Sequence, residues 1–478
     1  TINLAVTGHA GIPSTGVSAV AITITAINPT HDGYLTLYPD GSPRPTTSNL
    51  NYTAGQSIAN LTIDKLGSNG TINIHNAPTA STNLIADITG YYLDGDSSAA
   101  YSWGANDHGQ LGIGTVGAAT QLTPVQLPLM HVTALGANLF GSYALDRDGT
   151  VWAWGYGERG ELGNGTTPAT GCRCNPTPVP VTGLSRIVAI AAGQSNGYAL
   201  RSDGTVWSWG ANGEGELGNG TGESSGCGCA ATPVQVSGLS HIVAIAAGNS
   251  TAYAVRSDGT VWSWGRDGQG ELGLGTALST GCACSLKPVQ VAGLTGATAV
   301  AATSSTGYAL RTDGTVWAWG GNRQGQLGNG STTTTGCSCN PTAAQVSVLT
   351  GISQLTASSN TGYAVTADGT AWAWGDDNYG EIGNGTLIAG DKVGVSTPTQ
   401  VGLSDVRILG GGSSATFVLA STTEHTGWGW GYNQHGELGD GTPTASGCHC
   451  VTSPAENLNL TGATALAGGF YNGYAVLP

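Results

Sequence analysis

Tryptophan followed by glycine recurs seven times in this chain at almost constant spacing. All 13 Trp residues belong to this pattern, which begins at Trp103 and continues as Trp-x-Trp-Gly in the six later units. The glycines are Gly104, Gly155, Gly210, Gly265, Gly320, Gly375 and Gly431. Consecutive members lie 51 to 56 residues apart, and a fixed period of this size is typical of repeat architectures. We therefore expect seven units of one kind.

Each unit contains a predicted β-hairpin. The clearest is Tyr198–Gly210, in which apolar residues alternate on both sides of Asp203-Gly204. Asp-Gly is a favoured hairpin turn because Gly accepts a positive φ. Equivalent turns stand at residues 148–149, 258–259, 313–314 and 368–369. The last unit reads Ser421-Thr-Thr-Glu-His-Thr426 instead, and we expect a longer or irregular loop there.

A Gly-rich loop and two further strand-like segments complete each unit. The loop reads Gly-x-Leu-Gly-x-Gly in six units and Gly-Glu-Ile-Gly-Asn-Gly in residues 380–385. A Pro-containing segment and an apolar stretch such as Ile187–Ala192 follow. A unit thus supplies about four short strands and no helix, which is typical of a propeller blade. The predicted fold class is all-β.

The order and spacing of these motifs resemble the regulator of chromosome condensation repeat family. The resemblance covers about residues 99–478 and implies a seven-bladed β-propeller. Family repeats often carry His where this chain reads Asn196, Thr251, Thr306 and Thr361, so no His-based role is transferred. Residues 472–478 lack a Trp-Gly partner strand, and residues 100–104 lack a preceding strand. We expect them to pair and close a propeller over residues 101–478, which removes free sheet edges.

Residues 1–93 form a different region, without Trp or Cys. Val20, Ile22 and Ile24 alternate with smaller residues, and Pro and Gly turns separate further strand-like segments. We predict a small N-terminal β-sandwich, joined to the propeller by a linker at residues 94–100. Its motifs, such as Asp87-Ile-Thr-Gly-Tyr-Tyr92, resemble a module common in secreted actinobacterial proteins. That module usually has sequence before this point, so the sandwich is expected to lack its first strand.

Composition excludes several classes of protein. The chain carries 14 basic and 29 acidic residues, a net charge of −15, with only 9% charged residues. Nucleic-acid binding is not expected, since clustered cations are absent. No apolar run approaches the roughly 18 residues of a membrane span. No charged-then-apolar leader stands at Thr1, so we expect any secretion signal to have been removed.

The ten cysteines form five Cys-x-Cys pairs. They are Cys172/Cys174, Cys227/Cys229, Cys282/Cys284, Cys337/Cys339 and Cys448/Cys450. A fully paired count is typical of an oxidising compartment, which predicts an extracellular protein. Pairing within each motif needs no neighbouring unit, and we favour five local structural disulfides. The alternative is a zinc site, in which His449 adds a nitrogen but further ligands must come from another blade.

The Gly-rich loops hold a second candidate constellation. Its members are Glu161, Glu216, Glu271, Glu381 and Glu437, with Gln110 and Gln326 in the remaining units. Related by a propeller axis, the carboxylates form a candidate ring for a cation or for acid/base chemistry. The other interpretation is that each side chain caps N–H groups of its own loop, a role that Gln fills equally well. Trp-x-Trp likewise has two interpretations, packing between blades and a sugar-stacking platform.

No catalytic, metal or cofactor site is predicted. The Gly-rich loops lack the Lys and the helix of a phosphate-binding loop, and no nucleophile elbow opens a helix. The nine His are scattered and indicate no recurring blade position.

The leading functional hypothesis is a non-catalytic extracellular scaffold, adhesive or surface-assembly protein. In it a β-sandwich displays a rigid propeller. We also expect identical subunits to associate through the N-terminal domain, into a fibre where the contact does not close. The alternative function is a specific protein- or glycan-binding propeller, such as a secreted enzyme inhibitor or a lectin-like module. Propellers that resemble the family include a secreted β-lactamase inhibitory protein and a nuclear nucleotide exchange factor, but fold analogy carries neither function across.

Overall fold

A computed structural model describes the chain from residue 1 to 478, except for 13 short gaps. The gaps are residues 8, 10–11, 13–16, 68–69, 78, 94–97, 168–172, 223–227, 277–282, 334–338, 389–393, 413–414 and 445–447. The side chains of residues 90–93 are also left undescribed. The chain divides into two units, residues 1–97 and residues 98–478.

The first unit contains two antiparallel sheets. Its strands are β1 (Ile2–Ala5), β2 (Val17–Ile27), β3 (Gly33–Pro39), β4 (Leu50–Tyr52), β5 (Ile58–Lys65), β6 (Thr71–Asn76) and β7 (Asn83–Leu93). The sheets have the orders β1-β6-β3-β4 and β5-β2-β7. Val20, Ile22 and Ile24 of β2 are fully buried and belong to one apolar cluster with Leu35 and Ile72 of the other sheet. Alternation along β2 therefore places its apolar side chains between the two sheets.

The second unit is a ring of four-stranded sheets. In chain order, β8 (Ala99–Asn106) and β9 (Gly117–Met130) come first, followed by β10 (Val132–Ala137), β11 (Gly141–Asp146), β12 (Val151–Tyr156), β13 (Cys174–Pro180), β14 (Ile187–Ala192), β15 (Asn196–Arg201), β16 (Val206–Ala211) and β17 (Cys229–Gln235). Next are β18 (Ile242–Ala247), β19 (Thr251–Arg256), β20 (Val261–Arg266), β21 (Cys284–Gln290), β22 (Ala297–Ala302), β23 (Thr306–Arg311), β24 (Val316–Gly321), β25 (Cys339–Gln345) and β26 (Ile352–Ala357). The last are β27 (Thr361–Thr366), β28 (Ala371–Gly375), β29 (Val395–Gln400), β30 (Val406–Gly410), β31 (Phe417–Thr422), β32 (Gly427–Tyr432), β33 (Cys450–Glu456), a 3-10 turn at Leu458–Leu460, β34 (Ala465–Gly468) and β35 (Asn472–Leu477).

Within the described residues these strands make seven blades, each with four strands in the order A–B–C–D. Blade 1 is β34-β35-β8-β9, and blades 2 to 7 are the consecutive groups of four from β10 to β33. The A strands of all seven blades line one cavity of about 230 Å³. Tyr474 pairs with Ser102 and Gly473 with Trp103, so both ends of the unit contribute to blade 1. The all-β propeller expected from the repeats is confirmed.

Two details of the sequence interpretation were wrong. Ala99 and Ala100 are buried in β8, where they pair with Leu477 and Val476, so these two residues of the predicted linker belong to the propeller. Residues 94–97 of that linker lie outside the described part of the chain. The hairpin of blade 7 is no longer than the others, because the Thr422 amide donates to the Thr426 carbonyl just as Arg201 does to Thr205. His425 takes the glycine position of that turn with a φ of 64°.

Candidate functional site

The second Trp of each unit joins neighbouring blades. Its indole Nε1 donates to a backbone carbonyl of the preceding blade at 2.7 to 2.9 Å, and the acceptor is always the Glu or Gln of the Gly-rich loop. In six blades that carbonyl also accepts a hydrogen bond from a buried Tyr hydroxyl, and this Tyr lies in the same blade as the carbonyl. These seven Trp side chains are at most 1% exposed. They hold the ring together and offer no sugar platform.

The first Trp of each pair is half-buried. In blades 3 to 5 an Arg side chain covers it, with the guanidinium carbon 4.4 to 5.7 Å from the ring centre of Trp207, Trp262 or Trp317. The Arg also pairs with the Asp of its hairpin turn, as in Arg201 and Asp203. These rings are therefore already engaged by the chain's own cations.

The side chains of the predicted carboxylate ring cap backbone N–H groups of their own loops. In every blade the Glu or Gln side chain accepts a hydrogen bond, 2.6 to 2.9 Å long, from the backbone N–H two residues earlier. The seven side chains are at most 5% exposed. Burial raises the pKa of Glu161 to about 7 and also raises that of Glu271, Glu381 and Glu437. Each carboxyl group thus serves its own loop, and the geometry corresponds to the capping interpretation.

One complete Cys-x-Cys motif lies in the described residues. Cys448 and Cys450 form a disulfide with their Cα atoms 5.1 Å apart, and His449 between them has a φ of 56°. Its ring Nδ1 contacts the Thr444 carbonyl at 3.0 Å. Cys174, Cys229, Cys284 and Cys339 are also disulfide-bonded, whereas Cys172, Cys227, Cys282 and Cys337 lie outside the described residues.

The middle residue of these motifs has a recurring backbone conformation. Arg173, Gly228 and Ala283 have φ values of 53°, 57° and 48°, close to that of His449. A left-handed residue at this point turns the chain sharply, which brings the flanking Cα atoms within disulfide range. Among the described residues, no three His, Cys, Asp or Glu side chains converge as a metal site requires.

The antiparallel order of the blades creates two different faces. A–B and C–D loops emerge at one end of every sheet, which we call the loop face, and B–C turns emerge at the other, the turn face. Loop-face positions differ between blades, whereas the buried positions beneath them repeat. Since the fold does not require a particular side chain at the loop positions, this variation identifies the loop face as the candidate functional surface.

An unbroken series of aromatic side chains crosses the loop face from blade 6 through blades 7 and 1 to blade 2. We call it the aromatic arc, and its members are Tyr379, Tyr432, His435, Tyr471, Phe470, Phe140, His108 and Tyr156. Successive ring centres lie 4.1 to 6.3 Å apart. All eight are partly exposed, and Tyr379 is 37% exposed. Two of the chain's three Phe residues belong to this surface.

Charge divides the same face. The described loop residues of blades 6, 7 and 1 contain no Lys or Arg, but they include Asp107, Asp376 and Asp377. Burial raises the pKa of Asp377 to about 6, and its Oδ2 has no hydrogen-bond partner among the described residues. Asp107 is 56% exposed and accepts a hydrogen bond from Gln110. Among the described residues, the part of the arc in blades 6, 7 and 1 is therefore acidic.

The opposite half carries cations and a polar cavity. A cavity of about 300 Å³ is lined by A–B and C–D loops of blades 3 to 6, including Arg266, Arg323 and Asn249. A second, of about 310 Å³, lies where the aromatic arc ends, between Phe140, Tyr156 and Arg159. Glu158 beside it pairs with Arg173 at 2.5 Å.

The aromatic arc was missed from sequence, and one statement about it was wrong. His108 and His435 occupy the same blade position, directly before the first Gly of the Gly-rich loop, so His does recur. Aligning the seven loops on that Gly shows Tyr379 at the same position in blade 6. Aromatic residues therefore recur at this position in three consecutive blades, and this alignment is the signal that finds the arc.

Comparisons with known proteins agree on the architecture. Residues 98–474 match the RCC1-like domain. The human E3 ubiquitin-protein ligase HERC2 is 30% identical over 364 residues, which are 73% of this chain and 7% of HERC2. The ultraviolet-B receptor UVR8 of Arabidopsis thaliana is 29% identical over 351 residues, which are 71% of this chain and 74% of UVR8.

The solved structure of Prp20p from Saccharomyces cerevisiae shares the fold, with a TM-score of 0.68 and 19% identity. The superposition covers 80% of this chain and 92% of Prp20p. The resemblance of residues 1–93 to a secreted bacterial module stays a prediction. No helix among the described residues is long and apolar enough to cross a membrane. Since the match extends over most of the sequence, the chain belongs to the family of RCC1-like domains.

Proposed function

We propose that this protein is a non-catalytic binding propeller of the extracellular space, which holds a protein partner on its loop face. The observation that carries the proposal is the aromatic arc. Eight partly exposed rings lie at positions that other blades fill with small or polar residues such as Ala211, Ser250 and Gln324, so folding does not require an aromatic side chain there. Aromatic residues are enriched at protein interfaces because their side chains bury a large area and have few rotatable bonds.

The scaffold beneath the arc supports a binding role. Interblade Trp hydrogen bonds hold neighbouring blades in register, and Tyr bonds within each blade fix the same carbonyls, so loops from blades 6, 7, 1 and 2 form a preorganised surface. Preorganisation lowers the entropic cost of association. The buried glutamates of the Gly-rich loops are engaged with their own backbone, and this leaves them without a catalytic task.

Related propellers point in the same direction. UVR8 is a receptor by name, and the Prp20p structure was reported together with its binding to Gsp1p and histones. The ligase activity named for HERC2 belongs to a protein of which this chain spans 7%. For the present chain we carry over only the general role, a propeller that binds proteins.

The extracellular location rests on the cysteines. All ten cysteines stand in Cys-x-Cys pairs, and the described pair, Cys448 and Cys450, forms a disulfide. Disulfides persist in oxidising compartments and are reduced in the cytosol. We therefore propose, more specifically, that the protein acts as an extracellular scaffold or adhesive protein.

Site-specific photo-crosslinking tests which face binds. A photoreactive phenylalanine analogue replaces Phe140 or Tyr379 on the aromatic arc, and the matched control replaces Asp148 at a B–C turn on the turn face. We expect one or a few defined protein adducts from the arc positions in the medium of the producing cells, and none from position 148. Equal labelling from both faces, or labelling from the turn face alone, would contradict the proposal.

Exposed rings also favour a second candidate, a lectin-like propeller, because sugar rings stack on Tyr. A glycan array separates the two functions. A sharp, saturable glycan signal that the Tyr379→Leu variant loses would favour the lectin, and silence on the array together with defined protein adducts favours the protein-binding scaffold.

A further inference from the structure

We infer that the acidic part of the aromatic arc, in blades 6, 7 and 1, receives a lysine or arginine side chain of the protein partner. The rings of Tyr379, Tyr432 and Tyr471 form the π surface, and Asp107 supplies an exposed carboxylate beside it. The inference rests on the proposed function and names the chemistry of the partner at this face.

The three tyrosine rings are partly exposed and are tilted against one another. Tyr379 meets Tyr432 edge to face, with centres 4.9 Å apart and planes at 74°. Tyr432 and Tyr471 lie 6.1 Å apart and are tilted by 38°, and His435 contacts Tyr471 at 4.5 Å. Tilted and edge-to-face contacts cover less of each ring than parallel stacking does, and all three rings are partly exposed, so part of the π surface remains for a ligand. A cation within about 6 Å of a ring centre is attracted by the ring quadrupole.

The local charge attracts a cation. Burial and then the charge of Glu437 raise the pKa of Tyr432 to about 12. Burial, Glu437 and then Asp107 are among the causes that raise the pKa of Tyr471. A negative field that opposes a phenolate favours an ammonium or guanidinium group at the same place. The described loop residues around these rings include no Lys or Arg of the chain itself to neutralise that field.

The repeat provides its own comparison. The position of Tyr432 is filled by Ala211 in blade 3, Arg266 in blade 4 and Gly321 in blade 5, with the same strand geometry. The chain therefore changes from aromatic to cationic or small residues across the ring without changing the fold. A partner that matches this face carries its positive charge over blades 6, 7 and 1.

The chain already uses this chemistry elsewhere. On the first Trp of the pair in blade 4, Arg256 lies 4.4 Å from the ring centre of Trp262, and Asp258 pairs with the same Arg at 3.7 Å. That set of a ring, a cation and a carboxylate is complete within one chain. In the arc His108 lies 3.3 Å from Asp107 and His435 lies 3.1 Å from Glu437, but the described residues place no Lys or Arg on these rings. A Lys or Arg side chain is therefore the component that a partner brings.

Peptide titration tests the inference. The probe is the heptapeptide Gly-Ser-Gly-Lys-Gly-Ser-Gly with blocked ends, and the neutral control carries norleucine in place of Lys. By calorimetry at low salt we expect weak saturable binding of the lysine peptide and none of the norleucine peptide. Tyr432→Leu and Tyr471→Leu should each weaken binding about fivefold, the size of one exposed cation–π contact. Tyr432→Phe keeps the π face and should change binding by less than about twofold.

Tyr34→Leu is the matched control. Tyr34 is 37% exposed, as Tyr379 of the arc is, but it lies in residues 1–97. This variant should bind the lysine peptide as the unmodified chain does. Equal binding of both peptides, an absence of saturable lysine binding, or Leu variants that bind unchanged would each overturn the inference. Those results leave the proposed function standing if crosslinks still form at Phe140 and Tyr379, so the two failures are distinguishable.

Discussion

Replacing Glu161 by Gln tests how the Gly-rich loops are stabilised. Glu161 is 3% exposed, and burial raises its pKa from 4.5 to about 7 although backbone N–H groups favour the ionised form. Because the folded state binds the proton more tightly than the unfolded state, stability is lost as the pH rises from about 4.5 to 7. A rise of this size corresponds to at most about 3 kcal/mol at pH 8. Gln at this position carries no charge and avoids the loss.

The chain itself shows that Gln fits the position. Gln110 keeps the backbone hydrogen bond of the cap and donates its amide to Asp107 at 2.9 Å, and Glu158 occupies the equivalent of Asp107 in blade 2. Glu161→Gln should therefore raise the free energy of unfolding at pH 8 by up to about 3 kcal/mol. In a domain of this size that raises the melting temperature on the order of 5 °C. At pH 5 the variant and the unmodified chain should melt together.

Thermal unfolding followed by Trp fluorescence at pH 5 and pH 8 measures the effect. The reciprocal variant Gln326→Glu should lose stability at pH 8 and keep it at pH 5. Glu214→Gln, in the same loop of blade 3 but partly exposed, serves as the control and should change little. The reasoning is refuted if Glu161→Gln melts at or below the unmodified chain at pH 8, or if the difference is the same at both pH values.

Two further predictions follow from the structure, and two more from the sequence. Asp377→Asn should stabilise the protein above about pH 6 and not at pH 4, because burial raises the pKa of Asp377 to about 6 and Asn carries no charge at either pH. Asn fits this position, since Asn at the equivalent positions donates to a backbone carbonyl nine residues later. Melting curves at the two pH values check this. Trp209→Phe removes the 2.9 Å bond to the Glu161 carbonyl and should lower the free energy of unfolding by about 1–3 kcal/mol, measured by urea titration, whereas the same change at half-buried Trp207 should have a smaller effect. Non-reducing peptide mapping should give five single-motif disulfide peptides, and cross-linked motifs or zinc-binding thiols would contradict this assignment. Light scattering should show the whole chain associating and a version without residues 1–98 remaining monomeric; two monomers would disprove association through the N-terminal unit.

Local sequence patterns were sufficient to predict the architecture of the propeller. Asp203-Gly204 specifies a turn from its own chemistry, and alternating apolar residues on either side specify the strands. The spacing of Trp-Gly then gives seven copies, and each copy packs on its neighbour through the same contact, so one repeat predicts the rest. His425 was misjudged because turn propensity describes average behaviour, and surrounding strand pairing holds a non-glycine residue at positive φ there.

The aromatic arc was decided by tertiary structure. Phe470 and Phe140 are more than 300 residues apart in sequence, yet their ring centres lie 6.3 Å apart because the ring closes through blade 1. The repeat alignment marks only three of its members, His108, Tyr379 and His435, since the others come from A–B loops and strand ends. The role of Glu161 also depended on the fold. Its side chain caps the Gly-rich loop, while its backbone carbonyl accepts a hydrogen bond from Trp209 of the next blade. Repeats determine what is identical in every blade, and only the closed ring determines which of the differing side chains become neighbours.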